Sequence, residues 1–281
     1  RFGNNDRFAN FGALGMAWIF SEEQALKDKL PFLSYGKIRT SYGTTGNDQI
    51  GDYKYLDTYS TNGIAYNGTI GLSPTALYNP NFGWEVNRKA EAALELGFFK
   101  NRILTTVNYY NNRSSNQLVE VPLPGTTGFT GVLANLDALI ENTGWEFELN
   151  STNIKAENWR WSTSFNLTLP ENKLLEFPNL ENSTYANSYV IGEPITIQKV
   201  LRHTGVDPES GTHQFEDFNG DGQISIPEDS QAQVDTAPTF YGGLGNTLSY
   251  GNFEIDAFFQ FSKQKALNNK VFGTTPGVLG N

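Results

Sequence analysis

Side chains of alternating character run through most of this chain. A period of two commits each such run to a β-strand with one apolar and one polar face. In FEIDAFFQFS, Phe253, Ile255, Ala257, Phe259 and Phe261 share one parity; Glu254, Asp256, Gln260 and Ser262 share the other, with Phe258 the exception. In NWRWSTSFNLTL, Trp159, Trp161, Phe165, Leu167 and Leu169 alternate with Arg160, Ser162, Ser164, Asn166 and Thr168. WEFELN sets Trp145, Phe147 and Leu149 against Glu146, Glu148 and Asn150. KAEAALELGF sets Ala90, Ala92, Leu94, Leu96 and Phe98 against Lys89, Glu91 and Glu95, and Ile38, Thr40 and Tyr42 alternate with Lys37, Arg39 and Ser41. The pattern predicts eight strands, near residues 8–20, 33–44, 83–99, 102–119, 140–152, 157–170, 239–251 and 252–265.

The connections alternate in length. SEEQALKDKLPFL, expected to hold a short helix, follows the first strand; Lys100–Asn101, Lys155–Glu157 and Gly251 make tight links, whereas 44–82, 120–139 and 171–238 are long. Loops of that length are uncommon inside a compact domain. Tight turns on one side and long loops on the other are the plan of an antiparallel transmembrane β-barrel, with the long loops outside the cell. A β-sandwich with one wet face also alternates. Strand length favours the barrel, because a tilted membrane strand needs about 9–11 residues. So do the aromatics near strand ends: Phe98 and Phe99, Tyr109 and Tyr110, Trp159 and Trp161.

Composition removes other classes. The chain of 281 residues has no cysteine, which excludes a disulfide scaffold and thiol chemistry. A net charge of -10 argues against a nucleic-acid partner. No run of about 18 apolar residues is present, so no helical span is expected, and barrels are untouched by that test. The opening RFGNND has neither a Met nor a basic and apolar leader, and the chain is read as a piece of a longer product.

The sharpest local motif is DFNGDGQISIPED, Asp217 to Asp229. Asp217, Asn219 and Asp221 occupy the first, third and fifth positions of a calcium loop, and Gly222 the turn at the sixth. The backbone carbonyl of Gln223 would be the seventh-position ligand, Ser225 would act through a water, Ile224 would pack the loop down, and Glu228 would close the twelfth position with both oxygens. Ca2+ takes six to eight hard oxygen ligands, which this spacing supplies. Asn-Gly and Asp-Gly are also turn formers, so an Asx-rich turn that binds nothing is the competing reading. The flanks are not helical: THQFE follows Gly211, and Pro227 sits inside the loop. The site is therefore a loop-only structural one within 171–238. His203 and His213, the only histidines, lie in the same segment and read as solvated loop residues. No Ser-His-Asp order, phosphate loop or HExxH motif is present, so no catalytic residues are assigned. Tyr53, Tyr55, Tyr66, Tyr78 and Phe129 in the long loops would either stack on sugar rings or pack the loops together.

Several segments, in order along nearly the whole chain, resemble one family. They are GMAWIFSEE (15–23), LSYGKIRTSYGTTGN (33–47), NPNFGWE (79–85), NRILTTVNYYNNRSSNQL (101–118), VPLP (121–124), NTGWEFEL (142–149), IGEPI (191–195), TGVDPESG (204–211) and TFYGGLGNTLSYGNFEIDAFFQF (239–261). Together they look like the C-terminal half of a SusC/RagA-type TonB-linked outer-membrane protein of the Bacteroidota. Thr143 and Trp145 stand where the family usually has Lys and Val or Leu, and LPENK (169–173) replaces a usual Asn-Lys-Asn turn.

The resemblance implies a multi-pass protein of the bacterial outer membrane, lodged in lipid, with eight strands of a barrel of about 22. It implies import of oligosaccharides or peptides, a SusD-like surface lipoprotein as lid, and drive from the TonB complex through an N-terminal part. Residues 1–281 would form the C-terminal part of the barrel, with 171–238 a long extracellular loop carrying the calcium-like loop at 217–228. Two other readings compete: a secreted β-sandwich that binds glycan and holds structural calcium, and a calcium-assisted polysaccharide enzyme.

Overall fold

The computed structural model describes residue 2, residues 7–48 and residues 51–266, the side chain of Tyr66 excepted. Eight long strands form one antiparallel sheet in simple up-and-down order. They are β1 (Ala13–Trp18), β2 (Leu33–Asn47), β5 (Glu85–Phe98), β6 (Ile103–Pro122), β7 (Gly131–Lys155), β8 (Trp159–Glu176), β13 (Phe240–Tyr250) and β14 (Phe253–Lys263). Two hairpins and one nested pair fill the long connections: β3 (Thr58–Tyr66) with β4 (Thr69–Ala76), β9 (Ile197–Val200) with β12 (Ala232–Asp235), and β10 (His203–Val206) with β11 (His213–Phe215). The first connection holds a 3-10 turn, Phe20–Glu22, and a one-turn helix, Gln24–Lys27.

Several expected boundaries move. β6 runs to Pro122 and β7 starts at Gly131, so the connection expected over 120–139 shrinks to 123–130. β8 runs to Glu176, which places LPENK inside a strand instead of at a loop start, and the outer loop begins at 177. Pro170 is tolerated there because β13 pairs with β8 only from Trp159 to Thr168. Beyond Thr168 one side of β8 needs no N–H donor for a ladder. The first strand is shorter than expected, six residues.

Register places the apolar parities of all eight strands on one face. Phe147 pairs with Leu167, Leu167 with Gly242, and Gly242 with Phe261; Leu149, Phe165, Leu244 and Phe259 form the next row. No second sheet covers this face among the described residues: Leu14 is 72% and Phe259 63% exposed. A sandwich buries its apolar face against a partner sheet about 10 Å away. A bare apolar face across eight strands is the lipid-facing wall of a barrel, and the sandwich reading is set aside on this observation.

The wall carries its own depth scale. Near the tight turns, Trp159 stacks beside Tyr250 with centroids 4.4 Å apart, with Trp18, Trp161 and Phe253 exposed at the same end. Ten residues further along β8 a second belt appears, where Tyr109 meets Trp145 at 5.0 Å beside Leu169. At a rise of about 3.3 Å per residue and a tilt of about 45°, that span is about 25 Å, the height of an outer-membrane apolar band. Beyond the second belt the same face turns polar, with Asn111 and Arg113 both on Glu141, the latter at 2.7 Å. Polar groups at the lower belt satisfy one another. Ser151 donates to Asn153, Asn153 to Thr163, and Thr163 and the Trp161 indole to Asn246, at 2.7–3.0 Å.

The opposite face is a polar lumen wall. The Arg39 guanidinium meets Glu91 at 2.7 Å and Glu95 at 3.0 Å, Lys37 joins Glu95 at 3.3 Å, and Asn108 donates to Glu146 at 2.9 Å. Phe258, the exception to the alternation, lies on this face over Gly243, where an added Cβ would meet its ring at 2.9 Å. Gly144 is likewise covered by the Tyr110 ring. The real packed core lies beyond the band, where Ala138, Leu174, Phe177 and Leu180 are buried together against Leu136, Ile140, Tyr185, Tyr189 and Ile195.

Candidate functional site on the outer loop

Residues 177–239 rise from β8 as a loop whose root is fixed twice. The apolar cluster holds Phe177, Leu180, Tyr185 and Tyr189 against the extensions of β7 and β8. The backbones of Leu174, Gly192 and Glu193 exchange two hydrogen bonds, and Ile195 N–H donates to Asn172 at 2.8 Å. From this root β9 and β12 form a stem, Ile197 opposite Asp235 through Val200 opposite Ala232. The β10–β11 hairpin and the acidic loop both spring from that stem.

The structure brings Asp217, Asn219 and Asp221 together. Asp217 Oδ1 accepts the N–H groups of Gly220 and Asp221, and Oδ2 that of Gly222, at 2.7–3.2 Å. Asn219 Oδ1 accepts from Asp221 N–H, its Nδ2 donates to Asp221 Oδ2, and Asp221 Oδ1 accepts from Gln223 N–H. Gly220 and Gly222 take positive φ, 74° and 81°, which closes the turn. Glu228 is exposed and does not converge on the other three. Among the described residues no three acidic or histidine side chains cluster closely enough to hold a metal.

The carboxylate that folds inward is the next one, Asp229, only 2% exposed. Its Oδ1 accepts from Phe218 and Asn219 N–H and its Oδ2 from Ser225 N–H, at 2.7–3.3 Å. The Ser225 N–H first, with those of Phe218 and Asn219, holds its carboxyl below the usual carboxylate range. With three N–H groups taken, Asp229 braces the loop. Counting to a glutamate at the twelfth position passed over it; the signal was the second acid of the ProGluAsp end. The donor chemistry still fits calcium at the other end. A carboxylate has about four acceptor sites. Asp217 spends three on N–H groups and Asp221 two, leaving acceptor positions on both carboxylates for a hard cation.

His203 and His213 are not separate loop residues. β10 and β11 place them on one face, with His213 Nδ1 3.0 Å from His203 Nε2 and Phe215 edge-on to His203 at 5.8 Å. Spacing in the sequence carried no sign of this, because a hairpin turn intervenes. Of the loop aromatics, Tyr53 and Tyr78 are exposed, and Tyr53 and Tyr55 line a recess of about 470 Å³ with Trp84 and Phe2. Phe129 is half-buried. The Tyr66 side chain lies outside the described residues. The lumen wall forms a polar hollow of about 810 Å³, lined by Lys89, Glu91, Asn108, Tyr110 and Glu146 among others.

Residues 1–277 match the family model described as "TonB dependent receptor-like, beta-barrel". The chain belongs to that family. A TonB-dependent receptor of Formosa agariphila is 33% identical over 219 residues, which is 78% of this chain and 20% of that protein. A second from the same organism is 29% identical over 293 residues, 95% of this chain and 29% of the relative. The chain thus spans less than a third of the receptors it matches. Among solved structures, the RagAB peptide importer in its closed-closed state superposes with a TM-score of 0.78 at 24% identity, over 94% of this chain and 30% of that one. A structure of the RagAB peptide transporter gives 0.75 at 25%, over 92% and 30%. The SusC/RagA-type resemblance read from the sequence is borne out, and so is the antiparallel barrel. As a TonB-dependent receptor barrel, the protein is an outer-membrane protein.

Proposed function

We propose that the chain is part of a TonB-dependent importer of oligosaccharides or peptides, working beneath a SusD-like lipoprotein lid and driven through the TonB complex. The observation that carries this reading is the wall itself: a lipid-facing apolar band between two aromatic belts, backed by a charged lumen face too polar to be a core. Lys37, Arg39, Glu91 and Glu95 keep that face wet and orient polar solutes along it. No catalytic constellation is needed for this work, and the protein is read as a transporter, not an enzyme. The recess by Tyr53, Tyr55 and Trp84 suits a sugar ring or an aromatic peptide side chain. Calcium is a structural part of the proposal. Asp217, Asn219, Asp221 and the Gln223 carbonyl would hold it, with Glu228 turning inward, and bound calcium would supply a charge that ties the loop tip together.

The native protein, followed with an antibody to residues 177–239, should sediment with the outer membrane and leave it only in detergent. Recovery from the soluble or secreted fraction would overturn the reading. Deleting the gene should abolish uptake of a labelled oligosaccharide or oligopeptide, and pull-down should recover a surface lipoprotein. For calcium, Asp221→Ala should lower metal content and uptake together; no change in either sinks that part.

A further inference from the structure

We propose that His203 and His213 form a binding site for a late first-row divalent cation, Cu2+ foremost, on the outer loop. The two rings stand on neighbouring strands of a short hairpin, 3.0 Å apart at Nδ1 of His213 and Nε2 of His203. Two imidazole nitrogens bound about 2.0–2.1 Å from one ion at a right angle lie about 2.9 Å apart, and at a tetrahedral angle about 3.3 Å. The observed span therefore matches neighbouring corners of a tetragonal ion, the geometry Cu2+ and Ni2+ prefer with nitrogen donors. A small rotation of each ring brings both lone pairs onto an ion placed off the nitrogen–nitrogen line. The ring that now donates takes its other tautomer, moving its proton to the far nitrogen.

The hairpin is built to hold this spacing. At its tip, Asp207 Oδ1 accepts the N–H groups of Glu209 and Ser210 at 2.9 and 2.8 Å, and Asp207 N–H donates to Thr212 at 2.9 Å. At its open end Arg202 pairs with Glu216 at 3.3 Å, and Glu216 N–H donates to the Arg202 carbonyl at 2.9 Å. Phe215 rests edge-on against the His203 ring. Both histidines are exposed, so an ion reaches them from outside without opening the fold. Among the described residues no further histidine or carboxylate completes a set of three, leaving positions open to water or to a donor atom of a bound molecule. The two nitrogens favour borderline ions, whereas the oxygens of Asp217, Asn219 and Asp221 favour hard ones, so the two sites sort cations by ligand type.

The test uses the full-length receptor in detergent, stripped of metal and titrated with CuCl2. Bound copper is counted, and nitrogen coupling is read by electron paramagnetic resonance. Wild type should bind one equivalent more than the His203→Ala/His213→Ala variant, and the lost equivalent should carry the coupling of two nitrogens. Asp221→Ala should keep that equivalent. His213→Gln, close in size and polarity, should lose it while backbone exchange across β10 and β11 stays as in wild type. Equal copper content in wild type and double variant, or a lost equivalent without nitrogen coupling, overturns the proposal.

Discussion

At Asp229 one carboxylate accepts three backbone N–H groups that would otherwise be left unpaired at the base of the acidic loop. Those donors lower its pKa, so its contribution to loop order is fully present above the range where an unperturbed aspartate titrates. That order is lost as pH falls through the lowered value. Asp229→Asn should speed amide exchange at Phe218, Asn219 and Ser225 at neutral pH. In wild type the same amides should loosen only in acid stronger than an ordinary carboxylate requires. Exchange mass spectrometry, corrected for intrinsic rates, reads both effects, and identical profiles in the two proteins would refute the bracing role. Asn135 shows the same economy with an amide: it exchanges two hydrogen bonds with the backbone of Gly83, at 2.8 and 2.9 Å. Asn135→Ala should cost about 1–3 kcal/mol locally, seen as faster exchange through residues 79–84 around the fully buried Phe82.

At the scale of the strand, neighbouring residues should differ sharply in what they tolerate. Leu149 faces lipid midway between the belts, whereas Glu148 faces the lumen. Leu149→Arg should cost about 2–4 kcal/mol of stability in lipid vesicles under urea. Glu148→Arg should stay within about 0.5 kcal/mol. Equal costs would mean the two faces are misassigned. The alternation that makes this prediction was legible in the sequence wherever one face meets lipid and the other water. It was harder to read over 131–139, where Val132, Leu133 and Ala134 put three apolar residues in a row and the polar parity rests on Asn135 and Asp137 alone. There Leu136, Ala138 and Ile140 pack on the outer-loop cluster, while the Leu133 carbonyl and the Asn135 amide hold residues 79–83. LPENK misled in a different way: read as a turn at the strand's end, it stands inside β8, with Pro170 just past the point where β13 stops pairing. Spacing alone showed the turn that gathers Asp217, Asn219 and Asp221 but not the brace at Asp229, and the His203–His213 contact needed a strand pairing that only the folded hairpin supplies.

For the molecule as a whole, the outer loop and the wall are separable structures joined at one root. The loop's order rests on the cluster of Leu174, Phe177 and Leu180, on the β9–β12 stem and on the proposed calcium; the wall rests on its ladder and on lipid. Chelation of calcium should therefore raise protease sensitivity within residues 200–231 while leaving the barrel resistant, and limited proteolysis with mass mapping checks it. Cleavage spreading equally into β7 and β8 would show the two parts to be coupled. The even scattering of apolar residues has one more consequence, for how the protein is made. Because apolar side chains mostly alternate with polar ones, no stretch is greasy enough to stall in the inner-membrane translocon. The greasy surface exists only once the strands lie side by side. Before that its apolar residues are dispersed along the chain, and its hydrophobicity is in effect assembled at its destination.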